Sequence, residues 1–242
     1  MAKIDKTQYT KEQWRVIKEE RRIQKLINNS KKDNKDFEVT SDVAFVLGNG
    51  VSRKPINPES LQTSGKVYGC NALYRTFSPN YLIAVDVKMI LEINKAGYQH
   101  NNEVWTNPNK SYQRIKNLNY FNPSKGWSSG PTALWLASQH NYKTIFILGF
   151  DYKGFGEKNS SFNNMYADTA NYKKSTDSAT FFGNWMRQTR QVIKENPHIN
   201  YVRVIAPDNY NPEELNTFSN YNTMFVEEFQ EIIEKTHTLP KN

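Results

Sequence analysis

Apolar residues in this chain gather in short unbroken runs, and each run stops at a glycine or a small polar residue. Val43-Ala44-Phe45-Val46-Leu47 ends at Gly48-Asn49-Gly50, Tyr81-Leu82-Ile83-Ala84-Val85 ends at Asp86, and Lys143 to Leu148 ends at Gly149-Phe150-Asp151-Tyr152. Runs of this length without apolar–polar alternation mark strands covered on both faces, as in a parallel sheet. Further strands are expected at Lys66 to Cys70, more weakly at Glu103 to Thr106, and last at Asn200 to Ala206, closed by Pro207. Between them lie stretches at helical spacing: Val87 to Ala96, Thr132 to His140, Phe181 to Glu195, and a tail from Asn222 to Lys235 carrying Phe225, Val226, Phe229, Ile232 and Ile233. A long polar loop is expected from Lys153 to about Ser178. Parallel neighbours require crossover connections, so the alternation predicts an α/β fold, a Rossmann-like, doubly wound and mostly parallel sheet.

Ahead of the first strand the pattern changes. Trp14, Ile17, Ile23, Leu26 and Ile27 fall at loose helical spacing behind Thr10, a residue type suited to capping, and 29–37 is polar without period. The chain therefore divides into a basic helical extension with its linker, residues 1–38, and one nucleotide-binding α/β domain, residues 39–242. Arg15, Lys18, Arg21, Arg22, Lys25, Lys31 and Lys32 concentrate charge in the extension, and the whole chain carries a formal +8. That charge attracts polyanions, so the extension reads either as a solvated helix face or as an arm for nucleic acid. A lone cysteine, Cys70, excludes an intramolecular disulfide and suits a reducing compartment. No apolar run reaches the roughly 20 residues of a membrane span, and a cytoplasmic protein is expected, in the host cytoplasm if the gene is viral.

The chemistry sits where ligands bind in such sheets, beyond the carboxyl ends of the strands. Gly48-Asn49-Gly50-Val51-Ser52 brings glycines to a strand end, where backbone N–H groups can approach a phosphate; it equally serves as an ordinary strand-to-helix turn. Asn71 follows Gly69-Cys70 and offers both a donor and an acceptor to a base or ribose, or a helix cap. Ser129-Gly130 opens a helix of small residues, so that hydroxyl, N–H groups and helix dipole converge on an anion or simply cap the helix. Asp86 and Asp151 end strong strands, positions for proton transfer, ribose or metal.

In order and spacing, the Gly-Asn-Gly-x-Ser, Cys-Asn, Ser-Gly and Gly-x-Asp-Tyr motifs between Val43 and Asp168 resemble the bacterial lipooligosaccharide sialyltransferases, the family 42 type of glycosyltransferase. More distantly they resemble the pterin pyrophosphokinase-like family. The resemblance implies that Gly48, Asn49, Gly50, Ser52 and Asn71 contact a cytidine nucleotide. It implies further that Ser129 and Gly130 face its cytidine and phosphate, and that Tyr152 and Tyr166 bind the donor phosphate. One part of the pattern is missing. The sialyltransferase histidine, a general base after the long loop, has no counterpart between Tyr172 and Trp185.

The function expected is therefore a glycosyltransferase that uses a nucleotide-activated sugar, with a glycan or a nucleic acid as acceptor. Asp86, Asp151 and Asp177, in that order, are the candidate bases. The alternatives are an ATP-dependent pyrophosphokinase-like enzyme, with Mg²⁺ at Asp86, and a nucleotide-binding module without catalysis. The boundary is testable. Deleting residues 1–38 should leave a cooperatively folding domain, whereas a melting temperature lower by many degrees would show that Trp14, Ile17 and Ile23 belong to its core.

Overall fold

The computed structural model describes residues 9–15, 17 and 42–238. Its apolar runs become strands of one sheet: β1 (Val43–Leu47), β2 (Lys66–Cys70), β3 (Tyr81–Ile83), β4 (Val104–Thr106), β5 (Asn119–Tyr120), β6 (Thr144–Leu148), β7 (Asn200–Ile205) and β8 (Tyr221–Phe225). The strand order is β5-β4-β3-β2-β1-β6-β7-β8, and every pair is parallel. The chain starts at the centre, winds outward through β5, and returns to lay β6 on the open side of β1. This is the doubly wound, Rossmann-like α/β architecture that the continuous apolar runs predict.

The runs are continuous because both faces are covered. Ala44 and Val46 of β1 and Ile145 and Ile147 of β6 face α3 (Ser129–Gln139) and α4 (Gly183–Glu195) in one cluster. Phe45, Leu47, Phe146 and Leu148 face the other way, against Leu61 of α1 (Pro58–Gln62) and Phe229 and Ile233 of α5 (Val226–Thr238). On that second face Leu82 and Val104 meet Met89, Ile90 and Ile93 of α2 (Val87–Lys95). Burying one large aliphatic or aromatic side chain contributes about 1.5–3 kcal/mol. Two such layers explain why β1 and, after Thr144 at its start, β6 carry only apolar side chains on both faces.

Element edges differ from the pattern in ways that trace to burial. β3 stops at Ile83, two residues before the end of its apolar run, because Ala84 and Val85 already lead toward α2. α3 begins at Ser129 rather than Thr132, and α4 at Gly183 rather than Phe181. Asn200–Ile205 is not the last strand. Tyr221–Phe225, which carries the start of the helical spacing, is an edge strand, and the helix begins only at Val226. Asn222, Thr223 and Phe225 of that strand are exposed, so its apolar signal is weak. Two-residue β5 has no run to read.

Of the N-terminal extension, Lys11–Arg15 and Ile17 are helical. Thr10 caps them: the Gln13 N–H donates to Thr10 Oγ1 at 3.2 Å and the Thr10 N–H donates to Gln13 Oε1 at 3.0 Å, a reciprocal capping box. The linker expected at 29–37, and the rest of the basic helix, lie outside the described residues. No helix among the described residues is long and apolar enough to cross a membrane.

Under α3 the sheet buries a polar cluster that makes stability depend on pH. His140 is 5% exposed, with Nδ1 hydrogen-bonded to the Tyr68 hydroxyl and with the Tyr81 and Tyr142 rings beside it. Burial holds its imidazole down at about 4, against an ordinary 6.5. Between those values the unfolded chain takes up a proton that the folded protein refuses, so stability falls as pH drops from 6.5 toward 4, by up to roughly 3 kcal/mol. Glu92 acts lower. Burial pushes its carboxyl up, but hydrogen bonds from Arg75, Tyr74 and Asn171 outweigh that and hold it at about 2, so its contribution, complete above the ordinary 4.5, is lost as pH falls from there toward 2. Urea unfolding of His140→Gln should show a shallower stability slope between pH 6.5 and 4 than the natural chain. An equal slope would place the dependence elsewhere.

Candidate functional site

The return of the chain to β1 creates a switch point, and the loops after β1 and β6 meet there. The Gly48 N–H donates to the Leu148 carbonyl at 2.8 Å and the Gly50 N–H donates to the Gly149 carbonyl at 2.9 Å, extending the parallel ladder beyond both strands. Side chains would forbid this approach. A Cβ on Gly48 would lie 2.5 Å from the Gly149 oxygen, one on Gly50 would lie 2.5 Å from the Asp151 carboxylate, and Gly149 itself has φ +68°.

Ser52 closes the junction. Its N–H donates to Asp151 Oδ2 at 3.1 Å, and its hydroxyl donates to Asp151 Oδ1 in a short bond. The Val51 N–H is held by Asn163 Oδ1 at 3.0 Å, and buried Arg53 donates from Nε to the Gly48 carbonyl at 2.6 Å. The Gly48, Gly50, Val51 and Ser52 N–H groups, in a loop that reads from sequence either as a phosphate cradle or as an ordinary strand-to-helix turn, thus bond within the protein. Asn49, 8% exposed, ties this loop to the next ones: its amide donates to the Cys70 carbonyl at 3.1 Å and to the Tyr172 hydroxyl at 3.2 Å. Burial pushes the neighbouring Cys70 thiol up to about 12, the Arg53 charge opposing only in part, so at neutral pH it is no nucleophile.

Above this junction opens a cleft of about 440 Å³, bordered by Asn71, Asp86, Ser129, Gly130 and Lys153. Asn71 sits at φ +51°, a conformation its short amide tolerates, and its Oδ1 accepts the Ser129 hydroxyl at 2.8 Å. That leaves the amide NH₂ for a ligand. Ser129 Oγ in turn accepts the Val85 N–H at 3.2 Å, fixing the start of α3 against the end of β3. At that start the Ser128 cap makes no side-chain bond, and among the described residues the Ser129 and Gly130 N–H groups donate to nothing. Two free N–H groups and the helix dipole aim positive potential into the cleft. Gly130 also lets the Phe150 ring pack under the helix, where a Cβ would stand 3.2 Å from it.

The two strand-end aspartates differ sharply. Asp151 is 7% exposed with both oxygens engaged by Ser52, so it is a clamp between loops. Asp86 is exposed, precedes α2 without capping it, and borders the cleft. Asp177 is not brought in: it accepts the Lys174 N–H at 2.9 Å in an exposed turn. Tyr166 is absent from the cleft as well, its hydroxyl meeting Thr76 Oγ1 at 3.1 Å beneath Arg75. Tyr152 borders the cleft, but its hydroxyl turns inward to Thr189 Oγ1 at 2.8 Å, and burial pushes that phenol far up. Its ring rests against the guanidinium of Arg203, 1% exposed and 5.2 Å away. Lys153, Asn163, Asn164 and Trp185 complete the walls. Sequence reasoning missed Lys153, Asn163 and Asn164 because a loop without period carries no signal, although Lys153 directly follows the Asp-Tyr pair; Trp185 lies in α4 and reads from the sequence as core or cleft wall.

None of His100, His140 and His198 borders the cleft. Among the described residues no three His, Cys, Asp or Glu side chains converge, so a Mg²⁺ ion at Asp86 would draw its other ligands from substrate phosphates and water, which is that ion's habit. No family model matches the chain, and neither does any curated protein or solved structure.

The clamp is testable by a double-mutant cycle. Ser52→Ala and Asp151→Asn should each lower stability by about 1–3 kcal/mol, and the double variant should lose clearly less than their sum, because both remove one contact. Additive losses in denaturant unfolding would show that the residues act apart.

Proposed function

We propose that the cleft binds a nucleotide-activated sugar and that the protein transfers the sugar to an acceptor hydroxyl. What carries the reading is one juxtaposition: the free N–H groups of Ser129 and Gly130 at the head of α3, the free amide of Asn71, and the unengaged carboxylate of Asp86 border a single cleft. The nucleotide phosphate lies at the head of α3, where N–H groups and dipole stabilise the charge that grows as the leaving group departs. Asn71 holds a hydroxyl or base edge of the nucleotide. The acceptor oxygen attacks the anomeric carbon, the bond from that carbon to the phosphate oxygen breaks with its electron pair going to the nucleotide, and the acceptor proton passes to Asp86. Asp86 serves as the base, since none of His100, His140 and His198 borders the cleft. Lys153, exposed at the rim, adds positive charge beside the leaving group.

The motif order shared with the sialyltransferases makes cytidine and uridine nucleotides the first to test. Titration calorimetry with such nucleotides and their sugar conjugates should show binding, and Asn71→Ala should weaken it on the order of ten- to hundredfold. Asp86→Asn should keep that binding and lower turnover by about 10²–10⁴-fold. Unchanged affinity in Asn71→Ala, or full turnover in Asp86→Asn, would overturn these assignments. Turnover of ATP that stops with chelator and returns with Mg²⁺ would point to pyrophosphoryl transfer instead.

A further inference from the structure

On the other side of Asn71 and Asp86 lies a second cavity, also about 440 Å³, between the first turn of α2 and the loop at 171–172. Val87, Lys88 and Met89 form one wall, and Asn171 and Tyr172 form the other. Asn71 and Asp86 are the two residues that border both chambers. Two substrates held in two chambers would therefore meet at the side chains proposed to grip the nucleotide and to take the proton.

We infer that this second cavity is the acceptor subsite, and that Lys88 selects an acceptor carrying a phosphate near the reacting hydroxyl; the inference rests on the donor reading of the first cleft. The walls are built and chemically asymmetric. Arg75 fixes the far wall: it pairs with Glu92 at 2.7 Å and donates to Thr169 Oγ1 and the Ala170 carbonyl, each at 2.8 Å. Asn171 donates its amide to Glu92 Oε2 at 2.6 Å, leaving its side-chain carbonyl to accept from an acceptor hydroxyl. The Tyr172 hydroxyl is committed to Asn49 and, at 3.4 Å, to the Ala72 N–H, so it offers its ring. Lys88 is the one cation on these walls, it is exposed, and it makes no ion pair among the described residues. Glu92, one turn along α2, is neutralised by Arg75 and does not compete for it. A cation near a site in a chain of net charge +8 favours an anionic acceptor, and a wall fixed in advance lowers the entropic cost of holding it.

The test uses the full chain saturated with cytidine or uridine monophosphate, whichever binds. Hexose 6-phosphate with hexose, and thymidine 5′-monophosphate with thymidine, are then titrated as pairs of phosphorylated and neutral probes. One phosphorylated probe should bind at least tenfold tighter than its neutral partner, and which pair responds tells a sugar phosphate from a nucleic-acid phosphate. Lys88→Glu, at an exposed position, should fold normally, keep its affinity for the monophosphate, and lose that preference on the order of ten- to hundredfold. Equal binding of phosphorylated and neutral probes, or a preference that survives Lys88→Glu, overturns the inference while the donor reading stands. Failure of both monophosphates to bind is a different result: it removes the donor reading, and the acceptor subsite falls with it.

Discussion

Where the loops after β1 and β6 cross, Gly48 and Gly50 donate to the Leu148 and Gly149 carbonyls, and the cleft exists because they do. Parallel strands leave their carboxyl ends side by side, but the loops usually diverge at a switch point. Here two more ladder bonds hold them together, at distances that no side chain would survive. The crossing forms a floor. Above it, the β2, β3 and α3 termini bring Asn71, Asp86 and Ser129 around one cleft.

From this follows a division between polar groups that build and polar groups that are free. Ser52, Asp151, Asn49 and Arg53 bond to one another and to neighbouring loops, so their burial is satisfied within the protein. Breaking one of them leaves a buried partner without its bond, which costs more than the bond itself contributes. Asp86, Lys153, the Asn71 amide and the two N–H groups of α3 stand outside this network. Chemistry on a substrate needs groups of the second kind, held still by groups of the first. Asp151 and Asp86 show how little the residue type decides: each ends an apolar run, yet one is a clamp and the other is open to a ligand.

The walls are supported from behind in the same manner. Arg203, 1% exposed, lies against the Tyr152 ring and donates from Nη2 to the Tyr210 carbonyl at 2.9 Å. Tyr152, at φ +53°, sits in a conformation that costs a bulky residue about 1–2 kcal/mol. Its inward hydroxyl bond to Thr189 and its contact with Arg203 hold that backbone in place, and the backbone in turn aims Lys153 at the cleft rim. Across the cleft, Arg75 and Glu92 perform the corresponding task for the loop carrying Asn171 and Tyr172.

The sequence alone determined the central strands, because β1 and β6 are buried on both faces and so carry apolar residues without interruption. It also determined that polar and glycine residues gather at their ends, since glycine, asparagine and aspartate mark the points where such strands stop. It could not place the edge of the sheet. β8 exposes Asn222, Thr223 and Phe225, and β5 is two residues long, so neither needs a hydrophobic pattern. Nor could it tell which strand-end groups are free. Whether the Gly50 N–H meets a phosphate or the Gly149 carbonyl, and whether an aspartate clamps Ser52 or faces a cleft, depends on contacts between loops about 100 residues apart, such as Ser52 with Asp151. Local residue pattern reports burial and turn geometry within a few positions. Which donors and acceptors satisfy one another across the sheet is settled only when its topology brings the loops together.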